Sequence, residues 1–129
     1  MPSCKRMRIL FVEPYDALRE TMGELFEMWN YKAILAAGED EAVAKVRVSE
    51  SIRVALIEDD MRHGIDGVQI AGSLYQARRG ALYIILYAAD YEDALHRSRP
   101  HVGSWIWTIV RKGDTESLKE KLQEVNVLI

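Results

Sequence analysis

Acidic and basic side chains follow several of the apolar segments of this 129-residue chain. Glu13 ends the first apolar run, and Glu58-Asp59-Asp60 ends the third. Two adjacent cations, Arg111 and Lys112, end the fifth. Carboxylates hold Mg²⁺ and a cation can pair with phosphoryl oxygens, so these residues could form a site for a hard cation and a phosphate. The alternative is that polar residues only mark the points where buried strands leave the core.

The elements that would position these residues are five short apolar runs alternating with five amphipathic stretches. The runs that predict strands are residues 8–12, 33–37, 53–57, 81–89 and 104–110. The predicted helices begin at Asp16, which we expect to act as a cap, and at Asp114, with three others over residues 39–48, 68–79 and 90–99. Parallel strands with right-handed crossovers form a doubly wound three-layer sandwich. In such a sheet ligands bind at the carboxyl ends of the strands, where the acids lie.

Composition narrows the functional class. The chain has 17 Lys and Arg against 20 Asp and Glu, and 49% of its residues are apolar. These values predict one globular domain over residues 1–129, with a core over about residues 7–126. Net acidity without a Lys/Arg run argues against direct nucleic-acid binding, and we expect no membrane span. Cys4 is the single cysteine, so no internal disulfide can form and a cytoplasmic location is expected.

The segment from Asp59 to Gly67 has an unusual spacing: an acid at a strand end, then, eight residues later, the glycine of an Asp-Gly pair. This spacing resembles the phosphorylation loop of response-regulator receiver domains. Residues 9–20 resemble that family's first strand and helix, and Leu86-Tyr87-Ala88 and Val110-Arg111-Lys112 resemble its fourth and fifth strand ends. The resemblance covers essentially the whole chain. It implies a flavodoxin-like (βα)5 fold with strand order 2-1-3-4-5.

The resemblance also implies functional roles. Asp59 would be the phosphoacceptor, whose carboxylate attacks the phosphorus of a donor phosphohistidine to give an acyl phosphate. Glu13, Asp59 and the backbone carbonyl of Met61 would bind Mg²⁺. The metal would neutralise charge, because two anionic groups must approach each other. Tyr87 stands at the family's switch Thr/Ser position, and either Arg111 or Lys112 stands at its lysine position.

Several residues depart from the family's pattern. Pro14 occupies the second acidic position and offers no carboxylate, which weakens the predicted Mg²⁺ site. Tyr87 replaces a small hydroxyl residue, and His63 stands where a proline is usual. Arg111 fits the lysine position in one register and Lys112 in the other.

Glu58 is a further departure, at a position that is usually apolar or small. Successive strand residues face opposite sides, so Glu58 should point away from Asp59. A buried carboxylate without a partner costs several kcal/mol. The strand end is therefore exposed, or Glu58 has a basic neighbour, or a rescued metal site uses Glu58 or Asp16.

Other polar and aromatic residues have ordinary interpretations. Trp105 and Trp107 alternate on the predicted fifth strand, which would place them on one face, either in the core or at an interface. The three histidines lack the spacing of metal ligands. Four arginines are expected to be solvated at helix ends: Arg78, Arg79, Arg97 and Arg99.

Three functions remain open on the sequence alone. The first is a phosphorelay receiver accepting a phosphoryl group on Asp59 from a histidine kinase or phosphotransfer protein. The second is a pseudo-receiver, a protein-interaction module that works without phosphorylation; it would be a signalling domain like the first, not an enzyme. In both, the family's helix 4–strand 5–helix 5 face would bind a downstream protein or a second copy. The third, a flavodoxin-like cofactor protein, lacks the Gly/Ser/Thr-rich phosphate turn.

Overall fold

The computed structural model describes residues 6–62, 64–101 and 105–129; Cys4 and His63 lie outside them. The strands of the described chain are β1 (Arg8–Val12), β2 (Lys32–Ala36), β3 (Ile52–Glu58), β4 (Tyr83–Ala88) and β5 (Thr108–Arg111). The helices are α1 (Asp16–Met28), α2 (Glu39–Val48), α3 (Gly67–Arg78), α4 (Tyr91–Ser98) and α5 (Thr115–Leu128). A 3-10 turn, Arg99–His101, follows α4.

The strands form one parallel sheet in the order β2-β1-β3-β4-β5, which confirms the predicted fold class and strand order. Side chains from α1 and α5 pack on one face of the sheet, and side chains from α2, α3 and α4 pack on the other. Alternation along each strand therefore decides which group of helices a side chain meets. None of the helices within the described ranges is long and apolar enough to cross a membrane.

Local signals explain most element boundaries. The predictions for β1 and α2 match the structure residue for residue. Helix α3 is capped by Asp66, whose carboxylate accepts a hydrogen bond from the Gln69 N–H at 2.9 Å. The α3 C-terminus has left-handed backbone at Arg79 and Gly80.

The predictions for Asp16 and Arg78 were wrong. Asp16 does not cap α1; the cap position is Tyr15, and Asp16 pairs with Arg19 at 2.5 Å. Arg78 is not simply solvated, because its guanidinium donates to the carbonyl oxygens of Ile52 at 2.7 Å and Ser49 at 3.2 Å. Arg78 thereby ties the end of α3 to the start of β3.

The fifth strand is shorter than predicted, and its aromatic residues precede it. Trp105 and Trp107 do not share a face: Trp105 packs against Gly72 of α3, whereas Trp107 packs edge-on to Tyr83 within the α1/α5 layer. The alternating pattern that predicted a strand instead reflects a turn that sends the two rings to opposite sides of the sheet.

Candidate functional site

Strand register divides the polar residues at the carboxyl end of the sheet into two groups. Glu58 pairs with Tyr87 across β3 and β4, and Tyr87 pairs with Val110 across β4 and β5. Lys112 follows Val110 by two residues, so it faces the same side as Glu58, toward α1 and α5. Asp59 faces the opposite side, toward α3 and α4.

The first group is a buried cluster of Glu13, Glu58 and Lys112, here called the Lys112 cluster. The Glu13 side chain is fully buried, and the Glu58 side chain is 2% exposed. The Lys112 ammonium lies 3.0 Å from Glu58 Oε2 and 3.9 Å from Glu13 Oε1. The Tyr15 N–H donates to the other Glu13 oxygen at 3.1 Å. One cation therefore serves two buried carboxylates.

Burial and charge act in opposite directions on the titration of the Lys112 cluster. Burial raises the pKa of Glu58 and of Glu13, although Lys112 favours the charged form of both. Burial acts to lower the pKa of Lys112, but its hydrogen bond to Glu58 and the charges of the two carboxylates outweigh this and raise that pKa. The ammonium is therefore held charged by its two acidic neighbours.

The buried position of Glu58 decides between the three sequence-based alternatives. The strand end is not exposed, because Glu58 is buried. The basic neighbour is confirmed as Lys112. Neither residue is arranged for a rescued metal site, since Glu58 is paired with Lys112 and the largely exposed Asp16 side chain is paired with Arg19.

The second group surrounds Asp59 and is here called the Arg97 cluster. The Arg97 guanidinium, from α4, lies 2.5 Å from Asp59 Oδ2. It also lies 2.9 Å from an Asp93 carboxylate oxygen and 3.5 Å from one of Asp66. The Asp59 side chain is 12% exposed and that of Arg97 is 29% exposed. The hydrogen bond to Asp59 is the main reason that the pKa of Arg97 is raised.

The sequence does not reveal the role of Arg97, and the prediction that it is a solvated helix end is wrong. Its i,i+4 spacing to Asp93 suggested an ordinary surface pair. The structure shows that Arg97 lies three residues after Ala94 and next to Ser98, the two buried residues of α4. A charged residue on the inner stripe of a short helix needs a partner from the sheet.

The remaining predicted site residues lie around these two clusters. Tyr87 is buried, and its hydroxyl oxygen accepts a hydrogen bond from the Gly113 N–H at 2.9 Å. Lys112, and not Arg111, reaches the acids; Arg111 is exposed and lies 4.9 Å from the ring centre of Tyr91 in α4. The Met61 side chain is buried, and the role of its carbonyl stays a prediction.

The residues present do not fit the Mg²⁺ site that the resemblance implies. The implied ligands are two carboxylates, of Glu13 and Asp59, and one backbone carbonyl; residues 6–62, 64–101 and 105–129 contain no larger group of three or more His, Cys, Asp or Glu side chains that could hold a metal ion. Glu13 and Asp59 belong to different clusters, and each cluster already contains a cation. A dication would have to displace these charges, and Pro14 adds no ligand.

Comparisons with known proteins agree with this fold. No family model matches the sequence, and no curated protein shows significant similarity to it. Among solved structures, a CheY-like receiver domain from Methanospirillum hungatei is similar, with a TM-score of 0.79, 21% identity and 93% of each chain covered. Vibrio cholerae CheY4 is similar with a TM-score of 0.77, 18% identity, and 93% of this chain and 98% of that one covered.

A third similar structure is the response regulator TrrA from Thermotoga maritima, solved in complex with Mg²⁺-BeF. It is 26% identical, with a TM-score of 0.73, and the match covers 91% of this chain and 96% of TrrA. The present chain is therefore a receiver-like domain: it has the fold of response-regulator receivers, as its sequence motifs predicted.

Proposed function

We propose that this chain is a pseudo-receiver, a protein-interaction module of two-component signalling that works without Mg²⁺-dependent phosphorylation. One observation carries the proposal: the carboxylates of Asp59 and Glu13 lie in separate clusters, with Arg97 2.5 Å from Asp59 and Lys112 3.9 Å from Glu13. The acidic pair that a receiver offers to a metal is replaced by two internal ion-paired groups.

The charge around Asp59 also disfavours phosphoryl transfer. A carboxylate can approach an anionic phosphoryl group only if positive charge neutralises the reacting oxygens. In the Arg97 cluster, three carboxylates surround one guanidinium, so the cluster is net negative. A negatively charged phosphodonor would therefore be repelled.

Binding partners of a pseudo-receiver would be proteins. We place the contact on the face formed by α4, β5 and α5, as the family resemblance suggests. The end of α5 is suited to such a contact, because Val127 and Leu128 are exposed apolar side chains beside a cavity of about 610 Å³. A histidine kinase, a phosphotransfer protein or a second copy of the chain would be the partner class.

A phosphodonor experiment tests the proposal. The full chain is incubated with Mg²⁺ and acetyl phosphate, or with Mg²⁺ and beryllofluoride, while intact mass and tryptophan emission are recorded. We expect no covalent phosphoryl adduct with acetyl phosphate and no change in tryptophan emission with either reagent. A mass increase of one phosphoryl group that disappears in Asp59→Asn would refute the proposal.

A phosphoacceptor role at Asp59 is the second candidate, and a specific observation favours it. Asp59 Oδ1 is buried without a hydrogen-bond partner among the described residues, and Asp59 lines an open cavity of about 440 Å³. A small phosphodonor in this cavity would lie against the Asp59 side chain, which is 12% exposed. The same experiment separates the two candidates, because only a phosphoacceptor would gain mass at Asp59.

A further inference from the structure

Helix α4 is weakly held by apolar contacts. It has eight residues, too few for a helix that is stable by itself. Only Ala94 and Ser98 are buried, and the Ser98 hydroxyl has no hydrogen-bond partner among the described residues. The docking of α4 against the sheet must therefore depend on polar interactions as well.

Arg97 supplies the strongest of these interactions. Its guanidinium joins α4 to the end of β3 through Asp59 and to the start of α3 through Asp66, at 2.5 and 3.5 Å. The bond to Asp59 is largely shielded from solvent, so it is screened less than a surface pair. A second polar contact of α4, between Arg111 and the ring of Tyr91, involves an exposed side chain and is weaker.

We infer that Arg97 is a latch that docks α4 against the sheet, and that this docking depends on the negative charge of Asp59. Loss of that charge, or a partner group that draws Arg97 away, releases α4 while the sheet and the other helices stay folded. The device links a single buried carboxylate to the position of a surface helix. It goes beyond the proposed function, because it rests on the ion pair between Arg97 and Asp59 and not on the response of the chain to a phosphodonor.

The coupling between the two side chains distinguishes a latch from general packing. Asp59→Asn keeps the shape of the side chain and removes its charge. Arg97→Gln removes the guanidinium. If the two act through one bond, the double variant is no more perturbed than the more perturbed single variant.

Native-state hydrogen exchange on the full chain is the test, at one pH and temperature. We expect the amides of α4 to exchange about tenfold faster in Asp59→Asn and in Arg97→Gln, the size expected for loss of one charge-assisted hydrogen bond. In the double variant, the amides of α4 should exchange no faster than in the faster of the two single variants. Exchange in β1 and α5 should stay at the wild-type rate in all variants.

Arg99→Gln is the matched control, since Arg99 is exposed beside α4 and makes no ion pair with the described residues. We expect wild-type exchange in this variant. Arg97→Lys retains the charge, so its amides in α4 should exchange less rapidly than those of Arg97→Gln. This variant keeps the test valid if Arg97→Gln fails to fold. Wild-type exchange of α4 in Asp59→Asn, or additive effects in the double variant, would overturn the inference. Neither outcome depends on whether the chain gains mass from a phosphodonor.

Discussion

Replacement of Lys112 by methionine is the most direct perturbation of the Lys112 cluster. Methionine keeps much of the side-chain volume but removes the ammonium that lies 3.0 Å from Glu58 and 3.9 Å from Glu13. At an effective dielectric constant of about 20, these two attractions correspond to about 5.5 and about 4 kcal/mol before desolvation is counted. Loss of one partner from a buried ion pair costs about 3–5 kcal/mol in practice.

Protonation of a buried glutamate limits the stability that Lys112→Met loses. A glutamate with an ordinary pKa of 4.5 can be neutralised at about pH 7 for about 3 kcal/mol. We therefore expect the free energy of unfolding of Lys112→Met to fall by about 3 kcal/mol at about pH 7, as one buried carboxyl group takes up a proton on folding.

The same reasoning predicts how the stability difference between Lys112→Met and the wild type depends on pH. The pKa of Glu58 is already raised by burial in the wild type, and loss of Lys112 raises it further. A carboxyl group whose pKa is higher in the folded state favours folding below its unfolded pKa, and this contribution is lost as the pH rises through the folded pKa. The gap between Lys112→Met and the wild type should therefore narrow as the pH falls from about 7 toward 4.5.

Urea unfolding followed by far-UV circular dichroism measures these differences. The control is Lys121→Met, because Lys121 lies 3.5 Å from the half-exposed Glu124 and 5.8 Å from the ring centre of Trp107, and loss of these two surface contacts should cost about 1 kcal/mol or less. Glu58→Gln in the Lys112→Met background should recover stability at about pH 7, since it removes one of the two buried carboxylates that have lost their cation. A loss below about 1 kcal/mol in Lys112→Met, or a loss independent of pH, would show that the cluster is not held by this ammonium.

Three further predictions concern the surroundings of the site. Gly67→Ala should lower the thermal midpoint by about 5 °C or more, because a Cβ there would lie 2.6 Å from Leu86 Cδ1 and 2.9 Å from Asp59 Cα; differential scanning calorimetry measures this. Tyr87→Phe should cost about 1 kcal/mol in urea unfolding, because the Gly113 N–H loses its acceptor, and a neutral result would argue against that bond. Addition of about 10 mM Mg²⁺ should leave the thermal midpoint unchanged, whereas a rise that disappears in Asp59→Asn would indicate a metal site.

The sequence predicts the sheet well because its strands are continuous apolar runs with polar ends. Residues 8–12 end at Glu13, and residues 39–48 follow a glycine and begin with three acids, so both boundaries are marked in the chain itself. The predicted range of β5 was wrong because alternation of aromatic residues predicts a strand wherever it occurs. The rings of Trp105 and Trp107 instead fill gaps on opposite sides of the sheet, and only the three-dimensional position of Gly72 shows where one of them packs.

The candidate site was predictable in its list of acids but not in its cations. Alternation correctly separated Glu58 from Asp59, and a basic neighbour for Glu58 was among the expected outcomes. Whether Arg111 or Lys112 would supply it depended on the register of β5, which the sequence left open. Arg97 could not be paired with Asp59 from the sequence, because 38 positions separate them and only the packing of α4 brings them together.

Glu58 gives a physical reason for the whole departure from a phosphorylation site. A carboxylate on the buried α1/α5 face must have a cation, and Lys112 is the residue that the register of β5 directs to that face. Once Lys112 is held there, Asp59 on the other face needs a different counter-ion, and Arg97 of α4 is within 2.5 Å. One acidic residue at the end of β3 thus accounts for the division of the site into two clusters, and the second cluster ties a surface helix to the charge of Asp59.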